Sequence, residues 1–286
     1  MRIRAPAKIN LSLRVLGKRG DGYHLLDTVI VPIGLYDEIT IAGNRLGKAG
    51  RESLKVTCNH PLVPPREENL VYRAAALLLG RKGVRGRVRI HIRKGIPVGG
   101  GLGGGSSDAA VTLKGLNRLF RLGCSRRELL SLAASLGADV PFFIYGCPAR
   151  AKGIGERLHP LASFPRLWVL VLYPGFPVST GWVYRHWRAG KLTKTIENTR
   201  INFSVREPER LKRLLVNDLE KVASRRYPRI ALLKKRLMEE GAAGALMSGS
   251  GSSVFGMFSS ERAARKAFRR LRKEEGTRGY LVRSLN

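Results

Sequence analysis

The stretch IPVGGGLGGGSSDAA, residues 96–110, decides how the rest of the chain is read. Upstream, VRIHI at 88–92 alternates apolar and polar residues, the period of a half-buried strand. Downstream, Ala110, Leu113, Leu116 and Phe120 recur at three and four, the period of an amphipathic helix. A glycine-rich turn between the two presents backbone N–H groups and the positive end of the helix dipole, and the missing side chains let a polyphosphate come close. A flexible glycine-serine linker is the other reading of this composition, but linkers do not ordinarily sit between a strand and an amphipathic helix. No lysine follows the last glycine as in a G-x-x-x-x-G-K-[ST] loop, and no acidic residue closes a later strand as in a dinucleotide site. The segment therefore reads as a phosphate cradle of a third kind.

Working outward, residues 2–15 read as a strand, 17–24 (GKRGDGYH) as a loop, and 28–31 and 38–41 as strands. A short strand at 55–58 lies between the loops 43–53 and 59–66, and a helix at 67–79 ends at Gly80. Ser125-Arg-Arg-Glu128 has capping-box spacing and starts a helix that runs to Leu136 and stops at Gly137. LGADVPFF (136–143) then enters as an apolar segment to be buried. A second core begins with a strand at 167–172, followed by helical patterns at 207–224 and 228–240 and strands at 254–258 and 280–282. Between those last strands lies a helix whose apolar face is Ala264, Ala267, Phe268 and Leu271. Strands and helices mixed without strict alternation predict an α+β fold in two domains, 1–152 and 153–286.

With 286 residues, 43% hydrophobic and 26% charged, the chain can bury a core in each domain, which excludes disorder for most of it. No apolar run approaches the roughly 18 residues of a membrane span. The amino terminus (MRIRAPAKIN) has no apolar signal stretch, so a soluble cytoplasmic protein is expected. Cys58, Cys124 and Cys147 form neither a disulfide framework nor a zinc pattern, and the C-x-H of Cys58 and His60 lacks further ligands. The formal net charge of +32 raises the local concentration of anions without choosing among nucleotides, nucleic acids and phosphorylated metabolites. Because the basic residues are spread along the chain and no RNA- or DNA-binding motif accompanies them, nucleic acid is not expected as a partner.

Beyond the glycine loop, PAKINLSL (6–13), RGDGYHLLDT (19–28), ENLVYRAA (68–75), LGADVPFF (136–143), GIGE (153–156), NDLE (217–220) and MSGSGSSVF (247–255) follow one another in a fixed order. Together they resemble the GHMP kinase superfamily, whose Pro-x-x-x-Gly-Leu-Gly-Ser-Ser loop appears here as Pro97 to Ser107 with one extra glycine. All of these segments look like one branch of it, which phosphorylates a cytidine-diphosphate-linked methylerythritol. The resemblance implies a ribosomal-protein S5 domain 2-like amino-terminal domain that carries ATP and a ferredoxin-like carboxy-terminal domain that contributes to substrate binding. It also implies transfer of the ATP γ-phosphate to the C2 hydroxyl of that substrate. Residues 185–210 match none of the motifs.

Position by position, the resemblance makes Asp139 the general base and Lys8 the cation that lowers a pKa and neutralises the transferred phosphoryl. Asn10 is a hydrogen-bonding neighbour of substrate or base. Tyr23 and His24 belong to a cytidine pocket that Tyr184 completes, with the cytosine between Tyr23 and Tyr184, and Thr180 contacts the same substrate. Pro97, Gly101, Leu102, Gly103, Gly104, Gly105, Ser106 and Ser107 hold the ATP phosphates, while Asn69 and Lys94 lie near the base or ribose. A second loop, 248–253, with Gly249 and Ser250, closes on the substrate, a plain hairpin turn being its other reading. Mg²⁺ is implied by phosphoryl transfer; Ser107 is a candidate hydroxyl ligand, and the remaining ligands are unassigned. Two rivals follow: a GHMP kinase for mevalonate, homoserine or a sugar, against which GDGYH argues, and an RNA-binding protein that retains the fold.

Overall fold

Two long strands open the chain. β1 (Arg2–Lys18) turns at Gly22, whose φ of +88° suits a residue without Cβ, into β2 (His24–Arg45). The two strands expected at 28–31 and 38–41 are thus parts of one, despite Pro32 and Gly34 between them. The carbonyl of Pro32 accepts from Leu285 N at 2.8 Å and Ile33 bridges Ser284, so the carboxy-terminal chain satisfies the stretch that a proline would interrupt. The structure, a computed structural model, describes residues 1–46, 52–161, 164–188, 211 and 213–286.

The chain divides into two compact units, the first made of Met1–Ala7, Leu35–Val98 and Gly103–Gly146. Its further elements are β3 (Ser53–Cys58), α1 (Leu70–Arg81), β4 (Gly86–Arg93), α2 (Gly104–Leu119), α3 (Arg126–Leu136) and α4 (Val140–Tyr145). β4 pairs parallel to β3 and antiparallel to β2. Alternation buries Val88, Ile90 and Ile92 of β4 and Ile39 and Ile41 of β2 on one face. Gly115 of α2 lets the helix meet Ile41 and Ile3, and Ser125 and Glu128 form the expected capping box. The apolar segment at 136–143 is not extended: it contains α4, whose Phe142 and Phe143 are buried.

The second unit comprises Lys8–Gly34, Gly99–Leu102 and Cys147–Asn286. A single cut at 152 therefore does not reproduce the compact units, because β1 and β2 are long enough to contribute residues to each. β5 (Ala149–Gly153) and β6 (Arg157–Pro160) form a hairpin whose turn is GIGE, with Glu156 accepting from Ile154 N at 2.7 Å. The rest is β7 (Trp168–Tyr173), α5 (Thr180–His186), β8 (Val216–Asn217), α6 (Glu220–Arg226), α7 (Pro228–Glu239), β9 (Gly244–Met247), β10 (Val254–Phe258), α8 (Glu261–Leu271) and β11 (Arg278–Arg283). An antiparallel sheet in the order β11-β7-β10-β9, with helices inserted after its first and third strands, is the ferredoxin-like arrangement. Leu170, Leu172, Val254 and Phe258 of this sheet share one core with Leu233 and Leu237 of α7 and Ala264, Ala267 and Leu271 of α8.

Of the helix expected at 207–224, residues 207–210 and 212 lie outside the described residues. The described part breaks at β8 and resumes as α6, because Asn217 leaves the helical pattern to bond the loop after β9. Among the described residues no helix is long and apolar enough to cross a membrane.

Candidate active site

The glycine segment folds as a turn that leads into α2. Gly99, Gly101 and Gly103 have φ of +69°, +74° and +71°, a region that side-chain-bearing residues avoid, and α2 starts at the next residue, Gly104. Ser107 N bonds back to Gly103 O at 2.9 Å. Ahead of it, the N–H groups of Gly104, Gly105 and Ser106 point out of a 16-residue helix whose N-cap, Gly103, supplies no side-chain cap. Free N–H groups and the positive end of the helix dipole thus meet at the head of α2, a geometry that favours an anion.

The cradle rests on a buried charge cluster. Lys94, at the end of β4, donates to Asp37 of β2 and, at 2.9 Å, to Asp108 in the first turn of α2. The other oxygen of Asp37 accepts from Gly95 N at 2.7 Å and Ile96 N at 2.8 Å. One cation thus ties the chain entering the loop to the helix leaving it, and a Cβ on Gly104 would lie 3.1 Å from both Asp37 Oδ2 and Lys94 Nζ. Burial opposes the charge on Lys94, but the two carboxylates outweigh it and hold the ammonium above its ordinary value. Burial pushes the Asp108 carboxyl up to about 7, Lys94 working against this and Asp37 with it.

A carboxyl that titrates near 7 when folded and at 3.8 when free favours the fold in its protonated form. This contribution is complete below 3.8 and is lost as pH rises through 7. The thermal midpoint of the wild type is accordingly expected to fall between pH 5 and 8 and that of Asp108→Asn to fall less; parallel curves would remove Asp108 as the titrating group.

In the second unit Lys8 is almost fully buried on β1, and its ammonium donates to Asn10 Oδ1 at 2.6 Å. Asn10 in turn donates to Thr28 Oγ1 at 2.8 Å, and Thr28 to Ser12 O at 2.6 Å. Asn10 therefore links the Lys8 ammonium to Thr28 through its side-chain amide. The loop 248–253 joins β9 and β10 as a hairpin, as one of its two readings held, yet it is also clamped. Ser248 Oγ donates to Gly101 O at 3.0 Å, Ser253 N to Gly100 O at 3.1 Å, and Asn217 Nδ2 to the carbonyls of Met247 and Gly249, both at 2.8 Å. A Cβ on Gly249 would stand 3.3 Å from Lys8 Nζ, so this position keeps the loop close to the ammonium. Ser250 Oγ lies 2.8 Å from Thr180 Oγ1 at the start of α5.

The structure brings two of the three residues of the expected cytidine pocket, His24 and Tyr184, into ring contact. Tyr184 lies with its ring 5.1 Å from that of His24, and Trp187 meets the same imidazole edge-on at 5.6 Å. Tyr23 is 59% exposed and is the residue left at the surface. Burial, then Lys18, holds the His24 imidazole below its ordinary value, a shift toward the neutral ring.

Asp139 precedes α4 as its N-cap residue but makes no side-chain cap, so its carboxylate is not spent on starting that helix. Asn69 and Lys94 are used within the fold. Asn69 caps α1 by accepting from Val71 N at 2.9 Å and donates to Pro64 O at 3.0 Å, and the Lys94 ammonium lies between its two carboxylates. Sequence reading missed Asp37, Asp108, Asn217 and the buried pair in which Arg150 Nε and Nη2 meet the two oxygens of Asp27 at 2.7 and 2.6 Å. A signal existed for Asp37: it shares strand parity with Ile39 and Ile41, and a carboxylate on the core face needs a buried partner.

Among the described residues no group of three or more His, Cys, Asp and Glu could hold a metal. Ser107 Oγ and Asp108 Oδ1, both in the first turn of α2, are buried without a hydrogen-bond partner among the described residues. A hydroxyl and a carboxylate oxygen are hard ligands that fit Mg²⁺ shared with phosphate and water.

Comparison with known proteins agrees with this fold. The GHMP kinases N terminal domain matches residues 69–147 and the GHMP kinases C terminal domain residues 200–277. A 4-diphosphocytidyl-2-C-methyl-D-erythritol kinase of Syntrophotalea carbinolica is 44% identical, covering 99% of this chain and 98% of its own. One of Citrifermentans bemidjiense is 45% identical over 100% and 99%. A crystal structure of 4-(cytidine 5'-diphospho)-2C-methyl-D-erythritol kinase superposes with a TM-score of 0.82 at 38% identity, covering all of both chains. The chain is a small-molecule kinase of the GHMP superfamily. Within it, the chain belongs to the 4-diphosphocytidyl-2-C-methyl-D-erythritol kinase family.

Proposed function

We propose that the chain transfers the γ-phosphate of ATP to the C2 hydroxyl of 4-diphosphocytidyl-2-C-methyl-D-erythritol, a step of the non-mevalonate route to isoprenoid precursors. The observation that carries this reading is full-length identity of 44–45% to kinases named for that substrate. The N–H groups of Gly104, Gly105 and Ser106, on a loop held by Lys94 and Asp37, receive the ATP phosphates. Ser107 Oγ and Asp108 Oδ1 would hold Mg²⁺, which would neutralise charge on the ATP phosphates.

Asp139 accepts the proton of the substrate hydroxyl, whose oxygen attacks the γ-phosphorus directly while the bond from that phosphorus to the β,γ-bridging oxygen breaks and ADP leaves, without a phosphoenzyme. Lys8, its ammonium aimed by Asn10, supplies the positive charge that stabilises the transferred phosphoryl. Tyr184 offers its ring to the cytosine beside His24, and Tyr23 is free to cover the base from the surface. Thr180 and Ser250 contribute hydroxyls to the same substrate.

Transfer of labelled γ-phosphate to the cytidine substrate, with mevalonate and homoserine as alternative acceptors, tests the reading; labelling of either alternative in its place overturns it. Stacking on a base is worth about 1–3 kcal/mol. Tyr184→Ala is therefore expected to raise KM for the cytidine substrate by about 5- to 150-fold while leaving KM for ATP unchanged. An unchanged KM for both would take Tyr184 out of the pocket.

A further inference from the structure

The basic residues look scattered in the sequence, but the pleat of the first unit gathers a set of them. Along β4, Arg87, Arg89, His91 and Arg93 are exposed and alternate with buried Gly86, Val88, Ile90 and Ile92. Strand register sets Lys55 of β3 opposite Arg89 and Thr57 opposite His91. On the other side it sets Thr40 of β2 opposite His91 and Glu38 opposite Arg93. On β1, Arg2 pairs with Glu38 and Arg4 lies over the Tyr36 ring at 5.5 Å.

Glu38 is the acid of this face. Elsewhere in the unit Asp37 and Asp108 are buried, Glu52 pairs with Arg85, and Glu128 pairs with Lys82. Same-face residues repeat at about 6.6 Å along a strand and neighbouring strands lie about 4.8 Å apart, so the cations form an array dense enough to follow a phosphate backbone.

We propose that this sheet face binds single-stranded RNA. Five arginines favour phosphate, which the guanidinium fork meets with two parallel hydrogen bonds. An exposed sheet face with Tyr36 and His91 among the cations suits unpaired bases, which stack on aromatic faces. Thr40 and Thr57 place hydroxyls between the charges, where a ribose 2′-hydroxyl can donate or accept. An anionic membrane is the weaker match, since this face has no large aliphatic side chain to insert. The expectation that nucleic acid is no partner rested on charge scattered along the chain and on the lack of a binding motif; strand pairing bears on the first of these by gathering the charge on one face.

The test is fluorescence anisotropy with a labelled mixed-sequence 20-nucleotide RNA, the same DNA sequence, and phosphatidylserine vesicles. Five cations engaged on single-stranded RNA give a slope of log K against log salt of about −3 to −4, which is about 10²-fold between 50 and 200 mM salt. Removing three charges with Lys55→Ser, Arg87→Ser and Arg89→Ser should weaken RNA binding at least tenfold and flatten the slope by about 2. The control Arg262→Ser, Lys266→Ser and Arg269→Ser, which removes equal charge from the exposed side of α8, should stay within twofold. Both variants should keep the wild-type phosphotransfer rate and thermal midpoint. Absent RNA binding at 0.1 M salt, an equal loss in the control, equal affinity for the DNA, or tighter binding to the vesicles would each overturn the proposal.

Discussion

Asp139→Asn is expected to lower kcat by about 10²–10⁴, the usual worth of a general base. The substitution keeps the shape of the side chain and removes its ability to take a proton. Asp139 begins α4 without capping it, and the helix is held by Pro141 in its first turn and by buried Phe142 and Phe143. Folding should therefore survive, with a thermal midpoint close to wild type and KM for ATP little changed. A steady-state comparison of kcat and both KM values checks this. Near-normal kcat in the variant would end the assignment of Asp139 as base, while a loss accompanied by a fall in thermal midpoint would make it structural.

Lys94→Met is expected to act through the fold. It leaves Asp37 and Asp108 buried beside each other without their shared cation, and breaking a buried pair from one side costs about 3–5 kcal/mol. At about 2–4 °C per kcal/mol in a chain of this size, the thermal midpoint should drop by about 6–20 °C. Because Lys94 and Asp37 tie residues 95–96 to the start of α2, KM for ATP should rise in whatever fraction remains folded. Adding Asp108→Asn to the same chain removes one stranded charge and should restore part of the lost stability. A thermal midpoint within about 2 °C of wild type for Lys94→Met alone would mean that the cluster does not hold the loop.

Where the sequence served as a reliable guide, the governing physics was local. The cradle was readable because glycine conformation, strand alternation and helix periodicity act over a few residues, and the capping box at Ser125 and Glu128 follows from a spacing of three. The same short range explains the misses. α4 is too short to show a period, β8 is two residues long, and β2 crosses a proline that the distant Leu285 satisfies. Lys94 is bonded to Asp37, a carboxylate 57 residues away that only folding brings to it, whereas the partners of Asn69, Val71 N and Pro64 O, are its neighbours in sequence.

By itself, then, the sequence determined the α+β class, the phosphate loop at the head of α2, the order of the kinase motifs and the candidate pair Lys8 and Asp139. Only the tertiary structure decided that Asn10 aims Lys8, that Asn217 and Ser248 clamp the loop after β9, and that Tyr184 meets His24 while Tyr23 stays exposed. It alone joined Asp37, Lys94 and Asp108, which are 57 and 14 residues apart along the chain from lysine to each carboxylate. Local propensity acts between neighbours in sequence, whereas burying a charge demands a partner wherever in the chain the fold can supply one.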